Sequence, residues 1–183
     1  MLIASHCSVV TVKAQPACSG VYLTANDFTV GKLYYASACR STSKESYYSL
    51  LANSHFFIIG PGWAWRRIDK ENVFAIKSCE GQIVRICQGN NYYLLNPGEP
   101  IPIYKAMINP VSKGCAIRVK YCFSVDMVSE IRDLTIDNLK AAFRQKDRFA
   151  EKINAHFKDD SDLYAYNETN KCFELNEVFQ NCK

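Results

Sequence analysis

From residue 73 to residue 123 the chain alternates short runs of β-branched and aromatic residues with turn chemistry, which restricts this stretch to antiparallel sheet. Runs 73–79 and 82–88 flank Glu80-Gly81, a two-residue hairpin loop. Gly89-Asn90-Asn91 turns the chain into 92–95, and Asn96-Pro97-Gly98-Glu99-Pro100 turns it again. Runs 101–108 and 115–123 follow as two more strands around 109–114. Upstream, strands are expected at 8–14, at 20–24, from Asp27 to about Cys39, and at 47–52, 55–60 and 63–68.

The period changes at Ser124. Leu139, Phe143, Phe149, Ile153 and Phe157 recur at helical steps, apart from one step of six, and predict a helix over 135–157. Thr135 or Asp133 can cap it, and Asp137 and Lys158 suit the dipole at its two ends. A helical turn is expected at 126–131, a polar break at 159–162 and a short helix over 173–179. The fold class is therefore α+β. A β-rich barrel or sandwich over 1–124 precedes a helical C-terminal segment over 125–183, packed on it as one compact unit.

Residues 28–76 resemble a small SH3-like barrel. The likeness rests on F-T-V-G-K-L-Y-Y at 28–35, Y-Y-S-L-L-A-N at 47–53, F-F-I-I at 56–59 and W-R-R-I-D-K-E-N-V-F at 65–74. It covers about a quarter of the chain and is a hydrophobic pattern. It implies a fold and no ligand, because modules of this shape bind proteins, peptides and nucleic acids alike. Gly60-Pro61-Gly62 and the second Trp depart from the pattern. The small, cysteine- and tyrosine-rich character also resembles phage accessory proteins.

Apolar runs such as 56–59 are far below the roughly 20 residues that a membrane-spanning helix needs. The N-terminal residues lack a basic region, and His6 interrupts their apolar run, so no signal peptide is expected. Nine cysteines at irregular spacing are then expected to be reduced and mostly buried, in a cytoplasmic protein. In that setting the sequon Asn167-Glu168-Thr169 carries no consequence.

Catalytic signatures are missing. No C-x-x-C, H-E-x-x-H, G-x-S-x-G or phosphate-binding glycine loop occurs, so no catalytic residue, metal ligand or cofactor is assigned. Asp69 and Glu71 beside Lys70 only faintly echo nuclease clusters, and solvated loop carboxylates account for them.

Charge is uneven. Residues 1–124 carry 13 Lys and Arg against 6 Asp and Glu, whereas 125–183 carry 9 against 12. A basic β half admits a polyanionic partner, or simply complements the acidic tail. The candidate binding surface is Trp63, Trp65, Arg66 and Arg67, joined by Tyr35 and Tyr48: aromatic and arginine side chains grip protein hot spots or stack on bases. The same two Trp side chains would also serve a core.

Function is accordingly expected to be non-enzymatic binding of a protein partner, in the manner of a phage or mobile-element factor that inhibits a host protein. Nucleic-acid binding by the basic half is the first alternative. An enzyme of unrecognised family is the second.

Overall fold

A computed structural model describes residues 18–39, 56–59, 66–108 and 118–182. The expected strands at 8–14 and 47–52 and the 109–114 connection lie outside the described residues.

Eight described strands form one antiparallel sheet. They are β1 (Cys18–Tyr22), β2 (Tyr34–Ala38), β5 (Ala75–Lys77), β6 (Ile83–Cys87), β7 (Asn90–Leu94), β8 (Ile103–Ile108), β9 (Arg118–Phe123) and β10 (Arg132–Asp133). Their order is β10-β9-β8-β7-β6-β5-β1-β2. The expected meander is present from β5 to β9, β10 continues it without having been expected, and β1 and β2 extend it at the β5 edge. β3 (Phe56–Ile59) and β4 (Arg66–Asp69) make a separate two-stranded ladder.

The described strands do not close into a barrel: β10 and β2 remain as edges. Within 28–76, β2 and β5 both pair with β1, whereas β3 pairs with β4. The β2 edge is blunted by a bulge, at which Tyr35 takes φ 51. Gly20 permits it, since a Cβ there would stand 2.9 Å from the Tyr34 carbonyl oxygen.

Alternation along the strands loads both faces. On one face Val21, Ile76, Val84 and Ile86 pack with Ile68 of β4 and Val73. Further along that face Ile103 and Phe123 pack beneath the C-terminal helices. The opposite face buries Tyr22, Ala75, Ile83, Leu94, Tyr104 and Cys122 under Phe28, Leu33, Met127 and Ile131. The architecture is α+β with the helices mostly C-terminal.

Several expected boundaries move. Residues 25–29 form a helix, α1 (Ala25–Thr29), where a strand was expected. The Thr24 hydroxyl accepts from Asp27 N–H while the Asp27 carboxylate accepts from Thr24 N–H, a capping box that overrides the β-branched composition. The β5–β6 connection is the five residues 78–82, closed by Gly81 N–H donating to the Ser78 carbonyl. The next turn is Gln88-Gly89, so Asn90 and Asn91 already belong to β7. Residues 126–131 form no helix, because the Asp126 carboxylate takes the Val128 and Ser129 N–H groups into a side-chain turn.

The helix expected over 135–157 is two, α2 (Ile136–Ala142) and α3 (Asp147–His156). Six helical steps place Phe143 and Phe149 about 120° apart around an unbroken axis. The break at 143–146 brings both rings into one core, with centroids 5.2 Å apart. Phe179 of α4 (Glu174–Gln180) completes the cluster, 5.4 and 4.9 Å from them. Thr135 caps α2 as expected, accepting from Asn138 N–H. A 3-10 turn over Asp160–Tyr164 and the short pair β11 (Tyr166–Asn167) and β12 (Cys172–Phe173) connect α3 to α4.

One expectation about the thiols fails. Cys39, after β2, and Cys79, after β5, form a disulfide across the start of β1. Sequence spacing carried no sign of it, because the two strands are brought together only by the insertion of β1 between them. After alkylation in denaturant without reductant, Cys39 and Cys79 are expected to stay unlabelled while Cys87, Cys172 and Cys182 label. Peptide mass spectrometry reads the difference, and label on Cys39 would show the pair open.

Candidate functional site

β4 and the turn after it build one wall of a concavity that carries charge. Alternation along β4 sends Ile68 into the core and leaves Arg67 outside, its Nε 3.2 Å from Asp69 Oδ1. The strand runs into a 3-10 turn, Lys70–Asn72, closed by Val73 N–H donating to the Lys70 carbonyl at 3.1 Å. This turn tips Lys70 inward, leaving it 3% exposed. The carboxylate-bearing residues on either side, Asp69 and Glu71, are partly exposed and exposed, respectively. Within the described residues its ammonium makes no hydrogen bond or ion pair, although carboxylates flank it in sequence. Burial pushes its pKa down.

Lys70 opens on a groove of about 600 Å³. Arg67, Asp69 and Glu71 form one wall, Val73 and Ile86 the apolar floor, and Gln88-Gly89 the far wall. Both far-wall residues have positive φ, 49° and 75°, as a two-residue loop between Cys87 and Asn90 requires. The glycine takes that conformation without strain.

Two further polar centres are self-contained. Arg85 of β6 is 4% exposed. It donates to Tyr104 Oη (3.3 Å), Ser124 Oγ (3.4 Å) and the Val128 and Ser129 carbonyls (3.2 and 2.7 Å). Its guanidinium lies 5.3 Å from the Phe74 ring centroid. Nearby, the Ser129 hydroxyl hydrogen bond, assisted by the Val128 and Ser129 N–H groups and the Arg85 charge, holds Asp126 below the usual carboxylate range. Between α3 and α4, a cleft of about 510 Å³ spends its charges internally. His156 Nε2 is 3.3 Å from Glu174 Oε2, Lys152 donates to the Asn181 carbonyl, and Glu177 accepts from Asn167 and Asn170. Among the described residues no three His, Cys, Asp or Glu side chains converge on a metal position. Cys122 is inert as a nucleophile, since burial pushes its thiol up to about 11.

The chain matches no family model, no curated protein and no solved structure. Its function must be argued from the groove and its surroundings.

Of the expected binding residues, Arg67 stands on the groove wall. Arg66 is in β4, but its side chain lies outside the described residues, as do Trp63, Trp65 and Tyr48. Tyr35 is exposed on the edge strand β2, in a different sheet from Arg67. Lys70 and Arg85 are site residues that were not among those expected. For Arg85 the available signal was a lone cation inside the apolar run 83–87. Lys70 carried none, because a D-K-E tripeptide also fits an exposed loop. No described helix is long and apolar enough to cross a membrane.

Proposed function

We propose that this protein is a non-enzymatic binding protein that meets a protein partner along β4 and the groove beside it. The observation that carries this reading is Lys70, a side chain 3% exposed that lines the groove and, among the described residues, makes no ion pair or hydrogen bond. Leaving a desolvated cation unpaired is costly, and an acidic side chain or chain terminus of a partner would offset that cost. Around it the wall is mixed in sign, with Arg67 held to Asp69 and Glu71 exposed, which suits a partner segment of mixed charge. Trp63 and Trp65 stand just before β4 in sequence, so residue types that anchor interfaces adjoin the same ladder along the chain.

The resemblance to phage accessory proteins makes a host protein, bound and inhibited, the first partner to seek. An SH3-like character of residues 28–76 would agree with peptide recognition there. The test is a pull-down from host extract with wild-type protein and with Arg67→Glu/Lys70→Glu, both checked for folding by circular dichroism. Partners retained by the wild type are expected to weaken by about tenfold or more, the usual cost of inverting charge at a hot spot. An unchanged set of partners would remove the groove from the binding surface.

The charge imbalance favours a second reading, nucleic-acid binding by the basic half. It requires affinity to collapse between about 50 and 200 mM salt. A flat salt response would reject it.

A further inference from the structure

The turn that buries Lys70 also creates conditions for covalent chemistry, and this inference goes beyond the binding reading and stands without it. A lysine attacks an electrophile only as the free amine, through the lone pair that protonation or a hydrogen bond would occupy. Lys70 is 3% exposed and lines the groove. No acceptor holds the nitrogen, and no carboxylate lies within ion-pair distance among the described residues.

Among the described residues no carboxylate, Glu71 included, lies within ion-pair distance of Lys70 to favour its charged form. The titratable groups sharing the groove are Arg67, Asp69 and Glu71. Arg67 is a cation, and Asp69 is engaged by it at 3.2 Å. From β6 and its turn the groove is faced by Ile86, Gln88 and Gly89, none of which titrates. Burial favours the neutral amine, in the direction that nucleophilic lysines use.

We infer that Lys70 is a nucleophilic lysine, the site at which a small aldehyde or ketone entering the groove is captured as an imine. The Nζ lone pair adds to the carbonyl carbon, giving a carbinolamine. The former carbonyl oxygen then leaves as water with the two protons shed by nitrogen, and a C=N bond remains. No electron is gained or lost, so no co-reactant is needed. The groove's volume suits a small molecule.

The test treats the folded chain with limiting formaldehyde and cyanoborohydride, which fixes each imine as a methylamine, from pH 6 to pH 10. Lysine-resolved mass spectrometry then compares Lys70 with the exposed Lys158. At pH 7, Lys70 is expected to label about tenfold faster than Lys158, as an activated amine should. Lys70→Arg should lose that label and leave the Lys158 rate unchanged. Labelling of Lys70 at or below the Lys158 rate would overturn the inference, because a merely buried amine is shielded. Should Lys70→Arg fail to fold, the wild-type rates alone still decide. Lys70→Arg also separates the two readings. It keeps the cation that a partner's carboxylate needs and removes the amine that an imine needs.

Discussion

Replacing Arg85 with alanine is expected to lower the unfolding free energy by about 3–4 kcal/mol, the sum of a buried cavity and lost charge-assisted hydrogen bonds. The guanidinium ties four acceptors from three parts of the chain: Tyr104 on β8, Ser124 just after β9, and the carbonyls of residues 128 and 129. Its Nε already lacks a partner, so the site carries a cation for the sake of the loop it holds. The loss should be local in its first consequence. Tyr104 Oη and Ser124 Oγ keep their own 3.0 Å contact, whereas residues 125–131 lose their main tether to the sheet. Urea denaturation measures the stability. Hydrogen exchange at 128–131 should rise even where the rest of the sheet stays protected. A variant with unchanged protection there would show that the Ser124 hydroxyl bond to the Asp126 carbonyl and the packing of Met127 and Ile131 suffice to hold the loop.

The second large effect is expected at Asn176. This side chain is fully buried on α4 and clamps the backbone of Ile101, 75 residues away. Its Oδ1 accepts from Ile101 N–H at 2.7 Å and its Nδ2 donates to the Ile101 carbonyl at 3.0 Å. From the other side Asn96 donates to the same carbonyl at 2.8 Å and accepts from Ile103 N–H at 2.7 Å. Two asparagines thus pair the residues leading into β8 as a neighbouring strand would. Asn176→Leu preserves volume but strands the buried Ile101 N–H, at a cost of about 3 kcal/mol with the lost bonds included. Asn96→Ala strands the buried Ile103 N–H in the same way and is expected to cost about as much. A loss below about 1 kcal/mol for either variant in denaturant titrations would show that the freed N–H finds another partner.

Legibility differed between the two kinds of order. The meander could be read because each strand carries its own apolar alternation and each connection its own turn residues, as at 73–108. The C-terminal stripe could be read for the same local reason, and even its fault at Phe143–Phe149 was visible as a step of six. What that step meant was not, since only the position of Phe179 decides that the chain must break. α1 was missed because two side chains, Thr24 and Asp27, outweigh the strand preference of Phe28, Thr29 and Val30. At the groove, Arg67 was anticipated from residue type. Lys70 was not, because its burial comes from the direction of a 3-10 turn and from the β6–β7 loop opposite, neither of which is written in residues 69–71. The disulfide is the extreme case: its closure depends on a strand made well before either of its flanking strands is complete.

The strand order has a consequence for the chain as it is made. β1 and β2 leave the ribosome as a pair whose other neighbour, β5, is still unsynthesised, and β3 and β4 must emerge in between. The meander from β5 to β10 needs only sequence-adjacent pairings, so it can assemble as fast as it appears. The earlier pair must wait with Val21 and Tyr22 uncovered until that template arrives. Nascent chains stalled before residue 75 are therefore the ones a chaperone should hold. Circular permutants that begin at β5 should need such help least.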